Sequence, residues 1–324
     1  MSNKNICVVG AGYWGKNHIR TLHKLGALGG IVDSNKNALD RFKVEYPTVN
    51  CFLSLDDALE DRHFLGFTVA TPAETHYKIA KKIIENSKHV LVEKPLALNI
   101  DNAKELVQLA NLNGVNLMVG HLLLFHPAII KIKKMISDGA IGNLKYLYSN
   151  RLNLGKVRTE ENVIWSLAPH DISIFQLLTE KFPQRIIANG SSILQENIQD
   201  TVITYLKYGG GIEGHIFTSW LHPFKEHRLV LIGSEGMITF DDTLLSKSLT
   251  LHLKKINMEH GIPKIFDGPV EEIDYEKDAM PLTEELRYFS KHLDGTPIEN
   301  ANANHALDVI KILVETSKQL ENYG

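Results

Sequence analysis

The first 33 residues constrain the chain most. A short apolar run, Ile6-Cys7-Val8-Val9, enters the glycine cluster GAGYWG at 10–15. Apolar positions Trp14, Ile19, Leu22 and Leu25 follow at helical spacing, and a second apolar run from Leu28 to Val32 ends on Asp33. Strand, glycine turn, helix, strand and acid at this spacing form the fingerprint of a dinucleotide-binding unit. Gly10 turns the chain tightly, Gly12 lets backbone N–H groups approach a pyrophosphate, and Gly15 lets the helix pack close on the strand. Asp33 lies 18 residues past Gly15, where a carboxylate accepts hydrogen bonds from ribose hydroxyls and repels a 2′-phosphate. The expected cofactor is NAD. Lys36 and Arg41 follow the acid and keep NADP as the alternative.

A chain of 324 residues is long for one core, so two domains are expected. With 44% hydrophobic and 23% charged residues and a net charge of −3, it carries no basic field for nucleic acid or anionic lipid. No run approaches the roughly 20 apolar residues that span a bilayer, and MSNKN leads directly into a core strand without a leader pattern. Cys7 and Cys51 read as buried reduced thiols. These features together point to a cytoplasmic protein.

Phe64 to Ala70 and His89 to Val92 are continuous apolar runs, as expected of strands buried on both faces of a parallel sheet. Helical segments alternate with them up to a strand at 116–119, with Ser34 and Ser54 expected as helix caps. From about 121 the rhythm changes. Pro127 opens a helix to 137, a long strand runs from Leu144 to Arg151, and a helix is expected near 170–179. Strands follow at 185–192, 201–207, 212–219, 227–232 and 237–240, then helices at 284–293 and 305–321. The expected class is α/β, with an N-terminal Rossmann domain over 1–121. A C-terminal α+β domain on a mostly antiparallel sheet, over 122–324, would bind substrate and oligomerise, its last helix packing back on the first domain. One uncovered sheet face would leave an apolar patch, so burial of that face against a partner copy is expected.

In a doubly wound sheet, ligands lie outside the carboxyl ends of the strands. That rule selects the strand tips GAGYWG, ATPAETH and EKP. The expected cofactor residues are Gly10, Gly12, Tyr13, Trp14 and Gly15, then Asp33 and Ser34, Thr71, Pro72 and His76, and Glu93 and Lys94. Lys94 falls at the nicotinamide end. Pro72 and Pro95 stiffen their turns, and each X-Pro bond there is a candidate for the cis form.

GAGYWG with Asp33, ATPAETH and VEKPLAL resemble the Gfo/Idh/MocA oxidoreductase family, and the resemblance runs over essentially the whole chain. It implies that Lys94 contacts the reacting hydroxyl and that His170, in WSLAPHD, is the catalytic histidine that opens a helix of the second domain. The family's aspartate four residues earlier is Ser166 here, with Asp171 as a substitute contact. GHLLLFHPA, YSNRLNLGKVRTEENVIWSLAPHDIS and SWLHPFKEHRLVLIGS resemble the branch that oxidises C3 of UDP-N-acetylglucosamine, which also tolerates serine at that position.

The resemblance implies a homodimer or homotetramer, and a 3-keto UDP-sugar product passed to an aminotransferase during amino-sugar synthesis for lipopolysaccharide, lipid A or other cell-surface glycans. UDP-N-acetylglucosaminuronate as substrate, or a non-catalytic sensor of NAD and sugar nucleotide, are the alternatives. Arg151, Lys156, Arg158, Lys225 and Arg228, with His222, offer cationic donors to a diphosphate. Asn150, Asn153 and Asn162 offer amides to sugar hydroxyls. Trp165 and Trp220 stack on a sugar or uracil, or else belong to the core. Free histidine titrates near 6.5 and lysine near 10.4, so an imidazole is ready as a base at neutral pH while an amine must be shifted by about three units. His170 is therefore read as the base, with Lys94 donating to the developing alkoxide. No His, Cys or carboxylate cluster has metal-site spacing, and no metal is expected.

Overall fold

The computed structural model describes residues 5–155, 157–244, 246 and 248–321. These form two compact units, one running up to Phe125 and taking in Met280–Ile310, the other comprising His126–Ala279 and the chain from Lys311. The return of 280–310 to the first unit departs from the single break expected near 121. Its cause lies in packing. Gly66 has no side chain, and a Cβ there would stand 2.5 Å from Leu293 Cδ2 and 3.2 Å from the Phe289 ring.

In the first unit the chain runs β1 (Ile6–Val9), α1 (Gly15–Lys24), β2 (Leu28–Val32), α2 (Lys36–Glu45), β3 (Asn50–Phe52), α3 (Leu55–Glu60), β4 (Gly66–Val69), α4 (Ala73–Glu85), β5 (His89–Val92), α5 (Ile100–Asn113) and β6 (Leu117–Val119). The six strands are parallel in the order β3-β2-β1-β4-β5-β6. Every residue of β1 and β4 is buried, as helices on both faces require. A buried Ile, Val or Leu contributes roughly 1.5–3 kcal/mol, so this apolar sheet anchors the unit. The strand order reverses between β1 and β4, which opens the ligand crevice at their carboxyl ends.

Asn35, not Ser34, caps α2. Its Oδ1 accepts from the N–H groups of Asn37 at 3.0 Å and Ala38 at 3.3 Å, while Ser34 is exposed. Ser54 caps α3 as expected, its Oγ accepting from Asp56 N–H at 3.1 Å.

The second unit holds α6 (Pro127–Ser137), β7 (Leu144–Leu152), α7 (Val163–Thr179), β8 (Arg185–Ser191), β9 (Thr201–Lys207), β10 (Glu213–Ser219), β11 (Glu226–Gly233), β12 (Met237–Asp241), β13 (Leu249–Glu259) and β14 (Ile262–Glu272). Its sheet order is β14-β13-β12-β11-β7-β10-β9-β8, antiparallel except for the parallel pair β7–β10. The strands β13 and β14 are absent from the sequence expectation. They join through His260-Gly261, both at positive φ (+53° and +80°), the backbone of a tight two-residue hairpin turn.

Helix α7 begins at Val163, well before the expected 170, with Asn162 Oδ1 capping Trp165 N–H at 3.4 Å. Pro169 lies inside it, a residue that normally ends helices, so His170 sits in mid-helix instead of opening it. Helix α8 (Pro281–Lys291) belongs to the first unit, and α9 (Ala303–Glu321) starts in the first and ends in the second. No helix among the described residues is long and apolar enough to cross a membrane.

Candidate active site

At the tip of β1, Gly10 adopts φ +98°, and a Cβ there would lie 2.7 Å from the Ala70 carbonyl oxygen beyond β4. A Cβ on Gly15 would collide with the Gly10 carbonyl, whereas the space over Gly12 is open. Helix α1 then opens without a side-chain cap and without an acid in its first turn, which leaves its positive end to an anion. Asp33 stands at the tip of β2. Its Oδ2 accepts from Ala11 N–H at 2.6 Å and its Oδ1 from Asn35 N–H at 2.8 Å. These two bonds fix the carboxylate, and each oxygen keeps a lone pair for a ribose hydroxyl.

Gly10, Gly12, Asp33, Ser34, Thr71 and Pro72 line one cavity of about 400 Å³. An uncapped helix end, a side-chain-free turn and a fixed acid beside this cavity fit the pyrophosphate and adenosine of a dinucleotide. Tyr13 is 90% exposed at the same turn.

Lys94 follows β5, and its peptide bond to Pro95 is cis. Glu93 is buried beside it. Its Oε1 accepts from Trp14 Nε1 and lies 2.8 Å from His18 Nε2, while Oε2 accepts from Lys94 N–H at 3.3 Å. Trp14 thus turns its indole N–H onto protein. His76 is also spent on the fold: its Nδ1 lies 2.8 Å from the Pro95 carbonyl and its Nε2 2.9 Å from the Thr71 carbonyl, bracing the loops after β4 and β5.

Three further residues at this end of the sheet escaped the sequence reading. His18 is fully buried on α1, and its signal was a polar residue on the apolar face, one turn after Trp14. Glu285, fully buried on α8, has its carboxyl held well above the usual carboxylate range by burial and by the charge of Glu93. His121, just past β6, is buried, and burial together with the nearby His305 and Lys94 holds its imidazole well below the ordinary histidine range.

In the second unit, candidate substrate residues collect where β7 ends and β11 begins, with Asn150 opposite Arg228 and Arg151 opposite His227. Arg151 was expected to present a cation to a diphosphate. Instead its guanidinium is buried and donates to both carboxylate oxygens of Asp171. Asn150 Nδ2 donates to Glu226 Oε1 at 2.8 Å, and Arg228 Nε lies 3.5 Å from the same oxygen and 3.9 Å from Asp241 Oδ2. His222 Nε2 is 3.9 Å from Glu226, beyond hydrogen-bond reach. Burial pushes the Asp242 carboxyl up, but the adjacent His227 and the charges of Arg151 and Lys225 pull it below its ordinary range.

Cations and acids are therefore interleaved here. Arg158 Nε lies 3.7 Å from Glu161, Lys225 is exposed, and the main-chain N–H of Asn153 donates to the Ser219 carbonyl at 3.0 Å. Lys156 lies outside the described residues. Asn162 Nδ2 donates to Gln199, Trp165 Nε1 donates to Ser317 Oγ at 3.0 Å, and Trp220 is buried in the core. His170 is half-buried, one helical turn after Ser166, and directly precedes Asp171, which is engaged with Arg151 and not available as the carboxylate partner considered for His170.

Residues 4–121 match the profile described as "Oxidoreductase family, NAD-binding Rossmann fold", and residues 129–239 match the GFO/IDH/MocA C-terminal domain. The chain belongs to the Gfo/Idh/MocA family. It is an oxidoreductase, and its cofactor is NAD(H). Over 291 residues it is 24% identical to UDP-N-acetylglucosamine 3-dehydrogenase of Acidithiobacillus ferrooxidans, with 88% of each chain covered. A solved structure of an enzyme with that name from that organism has a TM-score of 0.85 at 22% identity, covering 98% of this chain and 97% of the other. Scyllo-inositol 2-dehydrogenase (NAD(+)) of Bacillus subtilis is 28% identical over 206 residues, 60% of each chain.

Proposed function

We propose that this family member oxidises the C3 hydroxyl of UDP-N-acetylglucosamine to the 3-keto sugar. NAD, held by the glycine turn at 10–15 and Asp33, would supply the hydride acceptor for this oxidation. A lysine at the tip of β5, in the same sheet as the glycine turn and Asp33, carries the reading that an alcohol is the reacting group. The substrate itself is supported by the likeness to the 3-dehydrogenase over 88% of both chains.

In this mechanism His170 takes the hydroxyl proton on a ring nitrogen, and the Lys94 ammonium donates a hydrogen bond to the developing alkoxide. Positioned proton transfer contributes on the order of 10²–10⁴ in rate. The remainder comes from orientation of the carbinol carbon. Lys225, Arg158 and Arg228 are the cations proposed to meet the diphosphate. The 3-keto product suits an aminotransferase as the next enzyme.

One observation favours a second reading. Arg151 and Arg228 already face Asp171, Glu226 and Asp241, a balance that suits an uncharged polyol and disfavours the doubly acidic uronate. The deciding experiment follows absorbance at 340 nm with NAD and a panel of UDP-sugars, free sugars and inositols, using wild type, Lys94→Ala and His170→Ala. The proposal requires the highest kcat/KM on UDP-N-acetylglucosamine and a loss of at least about 10²-fold in each variant. Turnover confined to inositols selects the second reading, and unchanged turnover in a variant removes that residue from the chemistry.

A further inference from the structure

We propose that His18 is a positioning residue for Lys94, acting through the carboxylate of Glu93. The inference rests on the reading of Lys94 as the group that meets the reacting hydroxyl.

Glu93 ends the buried run of β5, and its side chain turns away from solvent into a set of fixed donors. Trp14 and His18, one turn apart along the start of α1, both reach Oε1, and the main-chain N–H of Lys94 reaches Oε2 at 3.3 Å. The indole and the amide N–H can only donate, so both oxygens of Glu93 act as acceptors. Gly120 closes the other side: a Cβ there would stand 2.9 Å from Oε2 and 3.0 Å from Cδ. The carboxylate is thereby clamped between α1 and the backbone just past β6, and the N–H of Lys94 is bonded to the clamped group.

His18 is fully buried. A phenyl ring of similar size would fill that space without the cost of burying ring nitrogens, so an imidazole at this position is explained by the bond it makes. Removing that bond leaves Glu93 one donor short in a buried place and frees its rotamer. Displacement of a catalytic group by about 1 Å can cost on the order of 10²-fold in rate. The clamp also joins the helix whose N-terminus faces the pyrophosphate to the turn that carries Lys94, so that one rigid part of the fold aligns the cofactor and the amine.

The test compares His18→Phe, His18→Gln, Glu93→Gln, the double variant His18→Phe/Glu93→Gln, and Gly120→Ala. Readouts are kcat, KM, NAD dissociation constant by fluorescence quenching, and melting temperature. Expected is a kcat loss of roughly 10–100-fold in His18→Phe, an NAD constant within about threefold, and recovery of most of the rate in His18→Gln, whose amide restores a donor. The double variant should be no slower than its slower parent, because both changes break one linkage. Gly120→Ala should lose kcat similarly by displacing the same carboxylate.

Wild-type kcat in His18→Phe, multiplied losses in the double variant, or a glutamine variant that melts normally without regaining rate would overturn the proposal. If His18→Phe does not fold, Gly120→Ala decides, and wild-type kcat there overturns it. Lys94→Ala separates the two levels: if it stays active, the reading of Lys94 fails; if it is inactive while His18→Phe and Gly120→Ala are not, this inference alone fails.

Discussion

The Arg151 guanidinium, on β7, donates through Nε and Nη2 to the two carboxylate oxygens of Asp171 on α7, the Nη2 bond measuring 3.2 Å. Both side chains are buried, and Asp171 directly follows His170. The pair therefore fixes where α7 lies against the sheet at the residue that carries the imidazole. A buried pair gains little over an apolar replacement, but breaking it strands a charge at a cost of about 3–5 kcal/mol. Arg151→Met should lower unfolding free energy by that amount, and Arg151→Met/Asp171→Leu should recover much of the loss. Urea unfolding measures both. A single-variant loss below about 1 kcal/mol, typical of exposed pairs, would show that the pair does not hold the helix.

Asp33, fixed at the tip of β2, is expected to set the cofactor preference by charge. A carboxylate about 4 Å from a phosphate group interacts with several kcal/mol at an effective dielectric near 20, enough to exclude a 2′-phosphate. Asp33→Ser should reduce the ratio of NAD to NADP efficiency by on the order of 10²-fold. Arg41, with Lys16 and Arg20, lines a neighbouring cavity of about 520 Å³ and is available to meet the added phosphate. Initial rates with both dinucleotides measure the ratio. If it moves less than about threefold, Asp33 does not govern discrimination.

Glu285 gives the fold a pH dependence of known sign. Burial and the charge of Glu93 raise its folded-state pKa well above 4.5, so above pH 4.5 the unfolded chain has released a proton that the folded chain keeps. Stability therefore falls as pH rises through that window, by at most about 1.4 kcal/mol per pH unit from this group. Glu285→Gln mimics the neutral acid and lacks the term. Its stability should match wild type near pH 4.5 and exceed it increasingly toward neutrality. Parallel stability curves for the two proteins between pH 4.5 and 8 would contradict this.

The geometry of the first strand, its glycine turn and the tip of β2 could be read in advance because each position there has one physical job: a turn at Gly10, a close approach at Gly15, an acid at the tip of β2. Apolar runs likewise announced β4 and β5. Partner choice could not be read. The sequence shows the charges of Arg151 and Asp171 but not that the two, 20 residues apart, neutralise each other. His76 and Trp14 lie at the expected strand tips, yet their nitrogens meet backbone carbonyls and Glu93. Pro169 hid the first turns of α7. In β13 the alternation of Leu249, Leu251 and Leu253 slips at the adjacent Lys254 and Lys255, and Pro263, Gly268 and Pro269 interrupt β14, which weakened the strand signal there.

Those two strands lead to the last prediction. β12 pairs with β13 only over Leu249–His252, so from Lys254 outward β13 and β14 form a two-stranded ribbon. Ile256 stands opposite Ile265 and Met258 opposite Pro263 on one face, with Ile265 79% exposed and Ile256 and Met258 more than half exposed. An isolated two-stranded ribbon is marginal in water, and a solvent-facing apolar cluster of this kind marks an interaction surface. The Lys254–Asp267 pair at 2.7 Å flanks the same face, so the patch has both the apolar centre and the polar rim of an interface. The expected outcome is a homo-oligomer that buries this face. Sedimentation velocity should show wild type larger than a monomer and Ile256→Lys/Ile265→Glu shifted toward the monomer, with NAD affinity retained because the cofactor residues lie in the other unit. A wild-type protein that sediments as a monomer across micromolar concentrations, or a double variant with unchanged sedimentation, would remove the ribbon from the assembly.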